Sequence, residues 1–246
     1  AGLPLAFSFV VRPTNAISIV LLTAYVWIVY RRYFGYYALC FAAILIPYAA
    51  HNYATYASLL PPYYGLKLQA GPELASALVG NLVSPARGVL LFSPIFILSI
   101  LGFYYTVRSS GAWLGNLGLY VFGAIVLHWV TISIWGVWWG GVSVGPRLFS
   151  DVTPFFVYLL APVVDKWSWP ARGVLTRRAG TAVFVVLLSF SVFAHARSAI
   201  DGRPSAWNWE PNNVDQNTAR LWDWSDILFL RGLCPNGEME APRCWR

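Results

Sequence analysis

Charged residues are scarce in this chain. They make up 11% of its 246 residues, whereas a soluble domain usually carries about 25%. The hydrophobic fraction is 58%, and several apolar stretches approach or exceed the roughly 20 residues that a helix needs to cross a bilayer. A soluble fold would have to bury long helices that are apolar on every face. The composition therefore predicts an all-α integral membrane protein.

The net charge of +7 hides an uneven distribution. Residues 1–196 hold 11 Lys and Arg against 3 Asp and Glu, whereas residues 197–246 hold 6 against 7. The basic excess thus belongs to the apolar part of the chain, where it sets the orientation in the membrane. The sequence lacks a basic stripe on a soluble fold, so we expect no nucleic-acid partner.

Cysteine and histidine are too few and too scattered to predict a metal site. Cys234 and Cys244 bracket a short, turn-rich segment near the C-terminus. This spacing in an exported segment predicts a disulfide, since a zinc site needs four ligands and no other Cys or His is near. His51, His128 and His195 form no metal-binding pair on one helix.

The sequence also lacks a recognisable signal peptide. It does not begin with Met, and no charged segment followed by an apolar core and a cleavage site lies near Ala1. Internal repeats and low-complexity segments are absent as well. We expect a processed chain or the downstream part of a longer one.

Six apolar stretches are predicted to span the membrane. They cover residues 13–30, 33–53, 89–107, 113–139, 148–164 and 180–196. Prolines lie within several of them and are compatible with membrane helices, in which neighbouring groups satisfy the freed backbone. The prediction divides the chain into a transmembrane helical domain, residues 1–196, and a Trp-rich polar tail, residues 197–246.

Lys and Arg are unevenly shared between alternate loops. Seven lie in short loops on one side, and four lie in longer loops on the other. The positive-inside rule places the first set in the cytoplasm. The tail is then extracytoplasmic, and a disulfide between Cys234 and Cys244 agrees with that location.

Three arginines fall on the external side despite this rule: Arg12, Arg87 and Arg147. Each adjoins a helix-breaking residue, in VVRPTN, SPARGV and VGPRLF, so each is expected at a helix end. A planar guanidinium binds phosphate in bidentate fashion, and a helix N-terminus adds free N–H groups. We expect the three to share one pocket for an anionic headgroup. The alternative is that they anchor helices at the interface or pair with acidic groups.

Other candidates lie around Arg147. Asp151 follows it by four residues, which is one helical turn, and is interpreted either as its structural partner or as a general base. His51, Trp138 and Trp139 are candidates to support the site. The tryptophans are typical of an interfacial belt, with an aromatic platform for a sugar as the alternative.

The tail carries four tryptophans among Asn and acidic residues: Trp207, Trp209, Trp222 and Trp224. This aromatic content is unlike that of a disordered linker. We expect the segment RLWDWSDILFL to dock on the external ends of the helices, with its aromatics towards them and its aspartates towards water or the arginines. The tail then either caps a cavity or contacts a partner subunit.

The ordered motifs resemble the downstream half of bacterial multi-pass membrane proteins related to C-type-fold glycosyltransferases, which use polyprenyl-phosphate sugars. The matching segments are RPTN, HNYATYASLLPPYYG, NLVSPARGVLLFSPIFILSILG, WWGGVSVGPRLFSDVTPF and NVDQNTARLWDWSDILFLRG. The resemblance implies sugar transfer at the external face of a bacterial inner membrane, with Arg12, Arg87 and Arg147 as candidates to hold the donor phosphate. The catalytic carboxylate of such enzymes lies in a first external loop that this sequence lacks, so no catalytic residue is assigned.

Two functions therefore stay open. The first is a membrane glycosyltransferase-like protein, or its C-terminal half, that binds a lipid-linked phosphate. The second is a non-catalytic transmembrane subunit that stabilises a larger complex through its helices and Trp-rich tail. A transporter fits less well, because the spans carry almost no charge to form an ion path. Membrane lipids are the expected partners, and a lipid-linked phosphate or a phospholipid is the expected ligand.

Overall fold

The computed structural model describes residues 1–62, 73–109, 113–168 and 174–233. Within these residues the regular structure is helical and no strand forms, which confirms the all-α prediction. The α-helices in chain order are α1 Gly2–Val11, α2 Ala16–Val29, α3 Phe34–Tyr56, α4 Leu74–Val83, α5 Val89–Phe92, α6 Ile97–Ser109, α7 Leu117–Ile134, α8 Thr153–Ser168, α9 Val174–Ile200 and α10 Gly202–Ala206.

Three helical segments of the described residues are long and apolar enough to cross a membrane: Arg31–Tyr56, Leu117–Ile134 and Arg177–Ile200. They correspond to the predicted spans 33–53, 113–139 and 180–196. The other three predicted spans contain shorter apolar helices or begin in a turn, so the full set of six is not confirmed.

Prolines and the residues before them explain the shortening. Arg12 precedes Pro13 and has an extended backbone with φ −149°, which ends α1. Ser93 precedes Pro94 with φ −132°, which separates α5 from α6. Because proline disfavours the helical conformation in the residue before it, these apolar stretches are broken into pieces. Hydropathy alone does not report such breaks.

The main apolar core lies between α6, α7 and α8. Phe96 and Phe156 stack with their ring centroids 4.5 Å apart, and Ser99 Oγ donates to the carbonyl of Phe156 at 2.9 Å. Gly102 permits the close approach of α6 to α8, since a Cβ at this position would lie 1.6 Å from the carbonyl oxygen of Leu159. Small residues at such contacts let two helix backbones meet.

The N-terminal helices flank this core. α1 packs on α3, where a Cβ added to Gly2 would lie 2.4 Å from the carbonyl oxygen of Tyr37. α2 packs on α7, with Tyr25 and Tyr120 in edge contact at 5.2 Å. A single turn of 3-10 helix, Arg31–Tyr33, joins α2 to α3.

Residues 201–233 of the tail pack against one end of the bundle. Trp207, Leu221 and Phe229 are buried in a second apolar cluster with side chains of the helices. Ser84 Oγ donates to the carbonyl of Leu221 at 2.6 Å, and Trp222 Nε1 donates to Ser76 Oγ at 3.0 Å. Residues 201–233 of the tail are therefore an integral layer of the fold.

Replacing Gly102 by Ala is expected to destabilise the protein by about 1–3 kcal/mol, because the new methyl group collides with the α8 backbone. Thermal unfolding of the purified protein in detergent measures the loss. Gly35→Ala is the matched control, since nothing lies within 4 Å of a Cβ at that position. An unchanged melting temperature for Gly102→Ala would contradict the close packing of α6 on α8.

Candidate functional site

The loops that hold the predicted site residues meet at one end of the bundle. We call this end the tail face and define it as the turn 84–88, the loop 135–151 and the tail 201–233. The end of α1 joins it through Arg12, whose side chain reaches the loop. The tail face therefore holds all three arginines that the sequence predicts on the external side: Arg12, Arg87 and Arg147.

Two glycines with positive φ angles determine the backbone path of the loop 135–151. Gly140 and Gly141 have φ of +75° and +68°, a left-handed conformation that glycine adopts without the penalty of a side chain. Their turn brings the carbonyl groups of Trp139 and Gly141 towards Arg87, and both carbonyls accept from its guanidinium. The motif WWGG thus forms a cradle for an arginine of the chain itself.

The guanidinium of Arg87 lies in this cradle and is only 2% exposed. Nε donates to the Trp139 carbonyl at 2.9 Å, and Nη1 donates to the Ala86 carbonyl at 3.1 Å. Nη2 donates to the Gly141 carbonyl at 3.1 Å and to Asn208 Oδ1 at 2.6 Å. Every guanidinium nitrogen is engaged within the protein, which favours a structural role for Arg87 over ligand binding.

The positive charge of Arg87 is not neutralised by direct contact. No carboxylate of the described residues lies within 4.0 Å of it. Burial lowers the pKa of Arg87 to about 9, Asp215 opposes this shift, and Arg147 and Arg220 add to it. The side chain therefore stays protonated at neutral pH, and Asp215 is the acid whose charge favours this protonated form.

Arg12 is engaged with Asp151. Its Nη1 donates to Asp151 Oδ1 at 3.0 Å and to Ser150 Oγ at 2.8 Å, and Thr14 Oγ1 donates to Asp151 Oδ2 at 2.5 Å. The interpretation of Asp151 as the structural partner of Arg147 is therefore wrong, because its partner is Arg12. Both carboxylate oxygens accept hydrogen bonds, which argues against Asp151 as a general base.

Arg147 differs from the other two arginines. Its side chain is exposed and forms no hydrogen bond or ion pair with any residue that the structure describes. Its carbonyl oxygen accepts from Ser150 Oγ at 2.6 Å and from Arg12 Nη1 at 3.5 Å. The three arginines thus share one end of the bundle, but in three different environments, and Arg147 is the one whose guanidinium has no partner in the described part of the chain.

Trp138 and Trp139 are buried in the protein. Trp138 is 4% exposed and packs so closely on α4 that a Cβ at Gly80 would lie 2.3 Å from its ring. Trp139 is 8% exposed and its Nε1 donates to Asp215 Oδ1 at 2.7 Å. Neither ring is free to form an interfacial belt or to stack on a sugar, so both support the fold of the loop.

The structure does not join His51 to this group. Its side chain is exposed near the end of α3 and has no hydrogen-bond or ion-pair partner among the described residues. His128 contributes more, because its buried Nε2 lies 2.8 Å from the carbonyl oxygen of Leu148 and so fixes the course of the loop. His128 is therefore a hydrogen-bonded core residue.

The tail supplies residues that the sequence reasoning missed. Asn208 is 1% exposed and bonds Arg87, and Trp207 lies between two guanidinium groups, 5.6 Å from Arg87 and 4.3 Å from Arg220. Asp226 pairs with Arg220 of the tail at 3.4 Å, and no ion pair joins it to Arg12, Arg87 or Arg147. The only signal for these contacts was the unusual mixture of Trp, Asn and Asp.

The described residues contain no group of three or more His, Cys, Asp and Glu side chains arranged to hold a metal ion. Cys234 and Cys244 lie outside the described residues. The disulfide between them stays a prediction.

Comparisons with models of protein families, with curated proteins and with solved structures give no match for this chain. The resemblance to polyprenyl-phosphate-sugar glycosyltransferases therefore stays a prediction from the sequence segments. Conclusions about function rest on the geometry of the tail face.

Arg87→Lys is expected to destabilise the packing of the tail by about 3–5 kcal/mol. The ammonium group of lysine cannot bond all the acceptors that the planar guanidinium reaches, so buried carbonyl oxygens lose their hydrogen bonds. Limited proteolysis and hydrogen exchange of residues 201–233 measure the effect. Arg178→Lys is the control, since Arg178 is exposed at the start of α9. Equal protection of the tail in both variants would show that the cradle does not hold it.

Proposed function

We propose that this membrane protein binds a lipid-linked phosphate at the tail face, as the glycosyltransferases that it resembles bind their donors. The observation that carries the proposal is the exposed guanidinium of Arg147, which has no partner among the described residues. Arginine without a carboxylate partner at a membrane boundary is suited to bidentate phosphate binding. Arg147 is therefore the principal binding residue of the proposal.

The charge around Arg147 supports an anionic ligand. Arg147 is near enough to the buried Arg87 for its charge to lower the pKa of Arg87. Asp151, the acid nearest in sequence, is occupied by Arg12 and Thr14. A phosphate bound at Arg147 would reduce the repulsion between the like charges of Arg147 and Arg87.

Arg12 is suited to assist. Its hydrogen bonds within the protein run through Nη1, and its side chain is 32% exposed. The remaining N–H groups of this guanidinium can therefore reach a ligand that sits beside the Arg147 carbonyl. In this proposal Arg147 and Arg12 contact the phosphate. Arg87 positions the loop, and its buried positive charge attracts the phosphate electrostatically.

We place the tail face on the extracytoplasmic side of a bacterial inner membrane. The support is the distribution of Lys and Arg, which favours the opposite end of the helices as the cytoplasmic one. A lipid-linked phosphate would then meet Arg147 at the outer boundary of the bilayer. The proposal assigns no catalytic base to the described residues.

Arg147→Ala is expected to weaken binding of a polyprenyl phosphate about 10- to 100-fold, the loss typical of hydrogen bonds to a charged group. Arg147→Lys should retain part of the affinity, because it keeps the charge and loses the planar fork. Native mass spectrometry of the purified protein with a polyprenyl phosphate, and with the uncharged polyprenol, measures both.

The control for this experiment is Arg108→Ala, because Arg108 is exposed at the opposite end of the bundle, at the end of α6. Its affinity for the polyprenyl phosphate should equal that of the wild type. Undiminished binding by Arg147→Ala, or an equal loss in Arg108→Ala, would overturn the proposal.

A second function, that of a non-catalytic subunit in a membrane complex, is favoured by two exposed tryptophans of the tail. Trp209 and Trp224 are 56% and 52% exposed, although the segment around them is folded onto the helices. Tryptophan is enriched at the centres of protein interfaces. Trp207 and Trp222 are not equivalent to them, because Trp207 is buried and Trp222 bonds Ser76.

The double variant Trp209→Ser/Trp224→Ser should migrate as the isolated chain in native gels of gently solubilised membranes, whereas the wild type should migrate in a larger complex. Trp113→Ser is the control, since Trp113 is 63% exposed at the other end of the bundle. If wild type and double variant migrate alike, the subunit function is ruled out for this surface.

A further inference from the structure

A second candidate site lies at the opposite end of the bundle, between α2 and α3. A groove of about 540 Å³ opens there, within the range of about 300–1,000 Å³ that is typical of small-molecule sites. Apolar side chains of both helices line it, among them Val20, Ala24 and Ala38. The hydroxyl groups in the lining, those of Thr23 and Tyr37, bond each other at 2.5 Å, so they need no polar ligand.

The groove runs along the axis of α2. Its lining on α2 runs from Ile19 to Trp27, which corresponds to about 12 Å along a helix axis. Trp27 lies near the end of α2, where the chain turns into α3. The groove therefore extends from this end of the bundle into the apolar part of both helices, as an acyl chain does when its headgroup stays at the membrane boundary.

Arg31 lies at the mouth of the groove, and Arg32 is the next residue in the chain. Arg31 and Arg32 follow α2 directly, and the Arg31 guanidinium lies 4.9 Å from the centre of the Trp27 ring, which lines the groove. Both side chains are exposed and neither has a hydrogen-bond or ion-pair partner in the described part of the chain. No acidic residue precedes Glu73 in the sequence, so the N-terminal helices bring no carboxylate of their own to this charge.

We infer that this groove binds an anionic phospholipid, with an acyl chain between α2 and α3 and the phosphate on Arg31 and Arg32. The apolar volume suits the acyl chain, and the two exposed guanidinium groups suit the phosphate. An uncharged occupant would leave both arginines uncompensated, and a zwitterionic lipid would bring a cation of its own beside them. This site lies at the end of the bundle away from Arg147 and does not depend on the function proposed for the tail face.

Native mass spectrometry of the purified full chain in detergent tests the inference, with phosphatidylglycerol and phosphatidylcholine of identical acyl chains as probes. All variants are made in an Arg147→Ala background, so that phosphate bound at the tail face does not contribute. Arg31→Gln/Arg32→Gln should weaken phosphatidylglycerol binding about 10- to 30-fold and leave phosphatidylcholine binding unchanged.

Two further variants distinguish a specific binding site from nonspecific electrostatic attraction of the anionic lipid. Val20→Phe fills the groove at its rim, where Val20 is 66% exposed and the larger ring is tolerated by the fold, and it should weaken phosphatidylglycerol binding without removing any charge. Arg177→Gln/Arg178→Gln removes an exposed arginine pair at the start of α9, and it should have no effect. An equal loss in this control pair, unchanged binding in Val20→Phe, or equal binding of both lipids by the parent chain would overturn the inference.

Discussion

The buried guanidinium of Arg87 is the interaction on which the tail face depends. A charge removed from water costs several kcal/mol unless its N–H groups find acceptors. Here the acceptors come from three segments that are far apart in sequence: the Ala86 carbonyl in the turn, the Trp139 and Gly141 carbonyls in the loop, and Asn208 in the tail. None of these segments can move away without leaving the charge unsatisfied, so the turn, the loop and the tail are stable only together.

This constraint also explains why Arg147 is available. The loop is fixed at Trp139 and Gly141, whose carbonyl oxygens accept hydrogen bonds from Arg87. It is fixed a second time where Arg12 donates hydrogen bonds to Ser150 and Asp151. Arg147 lies between these two anchored points, and its backbone carbonyl is itself an acceptor. Its side chain therefore extends from a fixed backbone, while its guanidinium has no partner among the residues that the structure describes.

The sequence predicts Arg12, Arg87 and Arg147 at helix ends, because each adjoins a proline or a glycine, and on one side of the membrane, because of the distribution of Lys and Arg between alternate loops. It did not distinguish their roles, since that local pattern is nearly the same for all three. The distinction arises from Asn208 and Asp151, whose partners are set by tertiary contacts. The burial of Trp138 was missed for the same reason, because a tryptophan beside an apolar stretch has the same local signature whether it faces lipid or packs on Gly80.

The two ends of the bundle differ in how their positive charge is used. At the tail face Arg87 is surrounded by carbonyl acceptors, and Arg12 and Arg220 pair with carboxylates. At the other end Arg31 and Arg32 are exposed and unpaired in the described part of the chain. Orientation is governed by Lys and Arg that remain charged and accessible near the membrane. The arginines of the tail face are mostly bonded within the protein, so they weaken the orientation signal less than their number implies, and Arg147 is the exception among them.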